Sequence, residues 1–600
     1  MNNTNHRIYD VAICGAGMAG LTLARQLKQT MPDLSIVLLD RLGNSLPEAT
    51  HKVGESTLSV GTYYLANILG LKDYLNQCHL PKLGLRYFFG NSQGLFEKRP
   101  ELGQSEFYVE SHPYQLDRGR FEMDLRQFNR EAGVELVENC AVKDIQLSKT
   151  PDVPHKIVYT RGEGKTETVR ARWAIDAMGR RRFLQKKLGL AQPNDPKYSA
   201  AWFRIKGRID VSDFVPKSNR QWHDRVPDNN RYYSTNHLCG KGYWVWLIPL
   251  SSGYTSIGIV ADEGVHPFST YHTEDRARTW LEKNEPALAS RIQGKPAADF
   301  KKMPRYSYSS KQVFSIDRWA CVGEAGVFTD PFHSSGTDLI AIANCFITEA
   351  ISLDSRGQLT EDAIDEMNRF FLTYRDRTTD RIQSYYGCFT NEVVMVLKYI
   401  WDIMTAWAFN SPLMFNSLLL DPQKRAIRDR YYDRFMALDN CVDRLFLDWA
   451  AKPGGRVTYD YIDYTKIDFM NQHRGRNFSP QKNDEELIRH QISNLEVFEE
   501  LAQAIFRVAV ADTMPEQLPK LTSIDWLNAE AISLHPELWP ADGLFSPSTP
   551  PRSLDRVAKS LSQILQLEEP MFENIDRPKE RNLGWAISSF SRTHLKVPMG

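Results

Sequence analysis

The chain has 600 residues, 42% of them hydrophobic, with 13 Trp. That length is too great for one compact core, and two or three domains are expected. Lys+Arg and Asp+Glu each number 74, so the net charge is zero and nothing electrostatic argues for nucleic acid or an acidic membrane surface.

Eight Cys are scattered with no C-x-x-C pair and no metal-ligand spacing, which suits free thiols in a reducing cytoplasm. The N-terminus has no signal-peptide core, and no run of about eighteen apolar residues stands out. The expectation is a soluble, cytoplasmic protein without a metal.

The first forty residues organise the rest. Residues 8–13 (Ile-Tyr-Asp-Val-Ala-Ile) read as a strand. Gly15-Ala16-Gly17-Met18-Ala19-Gly20 follows, then residues 21–27 with helical spacing. Residues 35–39 form a second β-rich run, closed by Asp40 and Arg41. Strand, Gly-rich turn, helix, strand and acid in this order form a dinucleotide-binding fingerprint. Gly15 permits the tight turn, Gly17 lets the backbone approach a pyrophosphate, and Gly20 lets helix and strand pack closely. The phosphates sit on the helix N-terminus, and Asp40 can accept hydrogen bonds from ribose hydroxyls.

Along the chain, residues 62–69 and 72–77 read as helical pieces, and residues 81–89 as the entry into a strand. Residues 114–121 lead into a helix running to about Ala132. Short strands follow at 135–137 and 141–147, and a longer one at 169–175 ends in Asp176-Ala177-Met178-Gly179. Residues 200–260 are β-rich and aromatic. A strand at 319–322 runs into Gly323-Glu324-Ala325-Gly326-Val327-Phe328-Thr329-Asp330-Pro331, and a helix covers roughly 338–353. Beyond residue 360 the pattern is helical: 362–397, an apolar stretch at 399–420, 485–511 and 553–567. The predicted fold is α/β. Residues 1–360 form a Rossmann-like dinucleotide domain with a mixed β-sheet region. Residues 361–600 form a mostly helical part covering the substrate pocket.

The 15–20 turn, Asp117-Arg118, the 176–179 turn and the 323–331 segment together resemble the flavin monooxygenase superfamily. That superfamily usually has Asp after the glycine at 323, where this chain has Glu324. Within it the chain resembles a flavin-dependent halogenase of the phenol or pyrrole type. Lys52-Val53-Gly54-Glu55-Ser56-Thr57 is similar to the family's Gly-Glu-Ser segment near the flavin. Trp244-Val245-Trp246-Leu247-Ile248-Pro249 fits its W-x-W-x-I-P motif at every fixed position. Lys82 falls where the family places its catalytic lysine.

The resemblance implies FAD, used as FADH2, held by Gly15, Ala16, Gly17, Ala19, Gly20, Asp40, Arg41, Gly54, Glu55, Ser56, Arg118, Asp176, Gly179, Gly323, Glu324, Asp330 and Pro331. It implies chloride or bromide at Ser335 and Gly336, and a passage walled by Trp244, Trp246 and Pro249. Lys82, Ser334 and His333 are the candidate catalytic residues. Tryptophan-specific members carry Glu where this chain has His333, so a phenol or pyrrole that activates its own ring is expected, free or carrier-tethered.

On this reading reduced FAD, O2 and halide give hypohalous acid, which reaches Lys82 and halogenates the aromatic. By itself a lone Lys beside a strand is a surface residue. A buried one loses affinity for its proton and can hydrogen-bond hypohalous acid or be N-halogenated. No second dinucleotide fingerprint is present, so a separate flavin reductase is expected to supply FADH2. A flavin hydroxylase or prenyl-group reductase would share the FAD motifs without a use for Lys82 and the paired tryptophans. A flavoprotein that binds FAD and a partner without turnover would have no need of the lysine.

Overall fold

Strand β1 (Ile8–Cys14) turns directly into helix α1 (Met18–Thr30), and β2 (Ile36–Leu39) returns beside β1 in parallel. The computed structural model describes residues 7–43, 53–90, 93–108, 113–162, 164–194, 197–565 and 567. Helix α2 (Arg118–Glu131) lies against α1, where the Asn129 amide donates to the Leu21 carbonyl at 3.0 Å. Strand β3 (Lys165–Asp176) pairs in parallel with β1 on its other side, and Trp319–Cys321 pairs in parallel with β3. Because β1 is covered on both faces, its second half, residues 11–14, reads as an unbroken apolar run. Val11 and Ile13 face a cluster that includes α1, whereas Ala12 and Cys14 pack with Val37 and Leu39. This is the Rossmann-like half.

Among the described residues the second sheet has eight strands. Its centre is β4 (Tyr198–Lys206), β5 (Thr235–Gly240), β6 (Tyr243–Pro249) and β7 (Tyr254–Asp262) in the order β4-β7-β6-β5, with Leu85–Phe88 next to β5. Alternation along β6 sends Trp244, Trp246 and Ile248 to one face and Val245 and Leu247 to the other. Both faces are buried. The Val245 face packs on Trp222, Trp280 and Leu281. The tryptophan face packs on the C-terminal helices. Gly258 on β7 makes room for this, because a Cβ there would lie 2.1 Å from the Trp246 ring.

Helix α3 (Gly336–Ser355) is buried between the two halves of the chain, and the Asn344 amide bonds the Tyr64 hydroxyl at 2.9 Å and Thr22 at 3.0 Å. It starts two residues before the sequence pattern indicated. Among the described residues it is long and apolar enough to cross a membrane, but most of it is packed inside the protein.

The helical pattern at 362–397 resolves into α4 (Glu361–Cys388) and α5 (Glu392–Thr405). The break is made by Asn391, whose side chain accepts the Val394 N–H at 3.1 Å as an N-cap. The apolar stretch after it continues α5 through a π-turn, Ala406–Asn410, into the short helix Ser411–Phe415. Helices α6 (Pro422–Ala451) and α7 (Asp484–Thr513) complete this part around Trp401, Phe409, Phe435 and Phe498. Helical periodicity gave no sign of the strand Tyr461–Asp463, which joins the edge of the second sheet in parallel with Glu101–Gly103. The last helix among the described residues spans Asp555–Ile564.

Candidate functional site

The Gly-rich turn is shaped for a close backbone approach. Gly15 has φ +115, and a Cβ there would stand 2.3 Å from the Ala177 carbonyl oxygen. The 176–179 turn is therefore pressed against the 15–20 turn. Gly17 is the extended N-cap of α1. Gly323 (φ +60) brings the third segment to Ala19, with 3.0 Å between its would-be Cβ and that of Ala19.

Several carboxylates expected at the cofactor are engaged by the protein. Asp40 accepts the Ala16 N–H at 2.9 Å, the Leu42 N–H at 3.0 Å and the Arg126 guanidinium at 2.6 Å. Asp176 accepts the Met178 and Leu184 N–H groups, so it shapes its own turn, and burial pushes its carboxyl up to about 6. Glu55 is buried in an ion pair with Arg204 at 2.6 Å, and burial raises its carboxyl while Arg204 opposes that. The pair ties residues 53–57 to β4. Arg41 is exposed in the loop after β2, Glu324 is half-buried, and Lys52 lies outside the described residues.

Arg118 reaches the Val53 carbonyl at 2.8 Å and Glu122 at 2.5 Å, and Glu122 accepts the Met18 N–H at the start of α1. Arg126 also donates to the Ala16 carbonyl. Arg118, Glu122 and Arg126 recur every four residues on α2, one face of the helix. That spacing is the sequence signal for Glu122 and Arg126, which belong to no motif. Among the described residues, Arg118 Nε and Arg126 Nε are buried donors without a hydrogen-bond partner. Buried guanidinium donors beside a glycine turn at a helix N-terminus fit a pyrophosphate.

Three segments then enclose a cavity of about 60 Å³. Gly54, Glu55 and Ser56 form one wall, Trp244, Trp246 and Ile248 another, and residues 328–331 with Ser334, Gly336 and Thr337 the third. Pro249 is buried at the end of β6, and Ile248 stands in the lining instead. The Trp244 and Trp246 rings are 5.7 Å apart. His237, also in the lining, is held between the Arg86 and Phe332 carbonyls at 3.1 Å each, and burial pulls its pKa down to about 3.

The loop before α3 is tightly specified. Asp330 accepts the Phe332 N–H at 2.9 Å and the hydroxyls of Tyr306 and Tyr386. Burial pushes its carboxyl up to about 6 against those hydrogen bonds. Pro331 opens a 3-10 turn through His333, and Ser334 turns back with φ +60. Ser335 is the residue before α3 and spends its hydroxyl on Thr329 at 3.2 Å rather than on a cap. A Cβ on Gly336 would meet nothing within 4 Å, so its backbone is open. Burial holds the His333 imidazole well below its usual pKa, and His333 Nε2 is without a hydrogen-bond partner among the described residues. Its ring meets Tyr385 edge-on at 4.8 Å.

Lys82 is 1% exposed, and its ammonium nitrogen donates to the Thr57 carbonyl at 2.9 Å. Burial pulls its pKa down to about 7, while Asp338 acts in the other direction. Thr57 directly follows Gly54, Glu55 and Ser56, so Lys82 is tied to the segment that forms this wall without itself lining the cavity. Tyr306, Tyr386, His237 and Asp338 carry no motif of their own, and only the folded chain brings them to this site.

A family model described as "FAD binding domain" matches residues 8–325. The flavin-dependent halogenase chlA of Dictyostelium discoideum is 28% identical over 513 residues, 79% of this chain and 80% of that protein. The 1H-pyrrole-2-carbonyl-[peptidyl-carrier protein] chlorinase of Pseudomonas fluorescens is 25% identical over 439 residues, 70% of this chain and 87% of the relative. The crystal structure of the halogenase PltM in complex with phloroglucinol and FAD superposes with a TM-score of 0.59 at 17% identity, covering 82% of this chain and 96% of that one. With more than half of its length matched by the family model, and with these relatives, the chain belongs to the FAD-binding-domain family and is a flavin-dependent halogenase.

Proposed function

We propose that this chain uses reduced FAD, O2 and chloride or bromide to halogenate an electron-rich aromatic of the phenol or pyrrole type, free or tethered to a carrier protein. A separate flavin reductase supplies the reduced cofactor. The eight free cysteines suit the reducing cytoplasm where such a pair would work. Reduced FAD, when bound, supplies with O2 the oxidising equivalents that turn halide into hypohalous acid.

The chain's own residues do the rest. The 15–20 turn, Arg118 and Arg126 bind the phosphates. The N–H groups of Ser335 and Gly336, at the positive end of the twenty-residue α3, attract the halide. Trp244 and Trp246 wall a passage too narrow for an aromatic substrate, which keeps the substrate from the flavin and water from the oxidant. Lys82 at the far end orients hypohalous acid or carries its halogen. Neutral His333 takes the proton that the halogenated ring loses. The helical region after residue 360 closes the pocket.

The observation that carries this reading is Lys82: a lysine 1% exposed, bonded to the Thr57 carbonyl just after the Gly-Glu-Ser wall, with its pKa brought to about 7. A surface lysine would have none of these properties. The support against a tryptophan substrate is His333 in the place of a carboxylate. The test is incubation with FAD, a flavin reductase, NADH and bromide over a panel of phenols and pyrroles, followed by mass spectrometry. Brominated product that disappears without bromide supports the reading. Hydroxylated product, or turnover indifferent to bromide, rejects it in favour of a hydroxylase.

A further inference from the structure

Two buried ionisable groups share one short stretch of backbone. Residue 57 gives its carbonyl to the Lys82 ammonium at 2.9 Å, and residue 61 gives its N–H to the Asp338 carboxylate at 2.7 Å. Lys82 is 1% exposed and Asp338 6%. Asp338 stands in the first turn of α3, three residues after Ser335. The approach is close: a Cβ on Gly61 would lie 2.6 Å from Thr337 and 3.0 Å from the Asp338 carboxylate. Asp338 is absent from the walls of the cavity and has no part in the reading above.

We propose that the Asp338 carboxylate, held on the same stretch of backbone as Lys82, sets the pH at which that lysine becomes a nucleophile. The proposal rests on the halogenase reading and adds a positioning residue to it. Burial disfavours a charge on either side chain, pulling Lys82 down to about 7 and pushing Asp338 up to about 7, and each charge opposes the other's shift. Two buried groups so placed titrate as a coupled pair, each charge favouring the charged form of the other. His237 and His333 also feel the Lys82 charge, and Tyr374 feels that of Asp338. The two histidines are held neutral at physiological pH, and Tyr374 is held protonated by burial, which leaves Asp338 as the negative charge that favours the ammonium.

The step balances without an outside oxidant. Lys82 ammonium first gives up a proton to water and becomes the amine, and the nearby Asp338 carboxylate sets the pH at which it does so. The amine then attacks the halogen of hypohalous acid. The O–halogen bond and one N–H bond break, and an N–halogen bond and a water O–H bond form. Halogen passes at its existing oxidation level, so no electrons are required from elsewhere.

The test separates this proposal from the halogenase reading because it needs no turnover. Hypochlorous acid is added to the FAD-loaded protein across pH 5–9, and the rate of chlorine uptake on Lys82 is followed by mass spectrometry. Asp338→Asn keeps an acceptor for the Gly61 N–H and removes the charge. Losing that charge lowers the Lys82 pKa, so the midpoint for uptake must fall, by about one pH unit. The reagent's own ionisation is common to both proteins and cancels in the difference. An unchanged midpoint overturns the proposal. Wild-type protein that takes no chlorine at Lys82 overturns the proposed role of the lysine itself. Lys82→Met provides the reciprocal reading should Asp338→Asn not fold. Without the ammonium, Asp338 must stay protonated to higher pH, seen by infrared spectroscopy as a buried carboxylic-acid band. A band that titrates as in wild type rejects the pairing.

Discussion

The Trp244 indole donates its Nε1–H to the Tyr386 hydroxyl at 3.0 Å, and Tyr386 donates in turn to Asp330 at 2.7 Å. One phenol therefore joins the W-x-W strand, the loop before α3 and helix α4 of the C-terminal part. Tyr386 also stacks on Tyr198 at 3.9 Å, which fixes its ring. Tyr386→Phe keeps the stacking and removes the hydroxyl. The Asp330 carboxyl titrates near 6, and the Tyr386 hydrogen bond favours its ionised form. Loss of that bond therefore penalises the protein above pH 6 more than below it. We expect Tyr386→Phe to cost about 1–3 kcal/mol at pH 8 and less at pH 5, as measured by denaturant unfolding. Equal losses at the two pH values would refute the assignment.

The N-terminal turn predicts a cofactor defect. Gly17 caps α1 with extended backbone, where any residue can adopt the conformation but a side chain would stand beside the phosphates. Gly17→Val should lower FAD affinity by at least tenfold while leaving the fold intact, read by flavin fluorescence titration and circular dichroism. Wild-type affinity in a folded variant would move the pyrophosphate elsewhere.

Lys82 predicts a separation of flavin chemistry from halogenation. Lys82→Ala should bind FAD, consume O2 and release peroxide or hypohalite, with no halogenated product. Lys82→Arg should fail too, because a guanidinium stays charged. Positioning is worth up to about 7–11 kcal/mol, so loss of several orders of magnitude in product is expected if the lysine orients the electrophile. The deciding ratio is product formed per O2 consumed. A ratio unchanged in Lys82→Ala would leave the lysine without a chemical role.

The C-terminal part predicts that the core does not stand alone. Ending the chain near residue 360 removes α4 and α5, uncovers the face carrying Trp244 and Trp246, and strips the edge strand Tyr461–Asp463 from the second sheet. An apolar face of that size leads to aggregation. The truncated protein should be insoluble or inactive by size-exclusion chromatography and bromide-dependent assay. A soluble, fully active truncation would show that the helical part is dispensable.

Local pattern determined much of this protein. The β1 run, the glycine turn and the helix after it are specified within thirty residues, because strand periodicity, positive-φ glycine and helix initiation are all short-range effects. The alternation at 244–249 likewise fixes both tryptophans on one face before any partner is known. Tertiary structure decided the rest. Whether Asp40, Glu55 and Asp176 face a ligand or a protein group depends on Arg126, Arg204 and the Leu184 N–H, each far along the chain or around a turn. The burial that brings Lys82 to about 7, against the opposing charge of Asp338, exists only in the folded chain, and the partner of Trp244 comes from residue 386. Desolvation and hydrogen-bond pairing are properties of what surrounds a side chain in space, and a linear pattern carries them only where the neighbours are also neighbours in sequence.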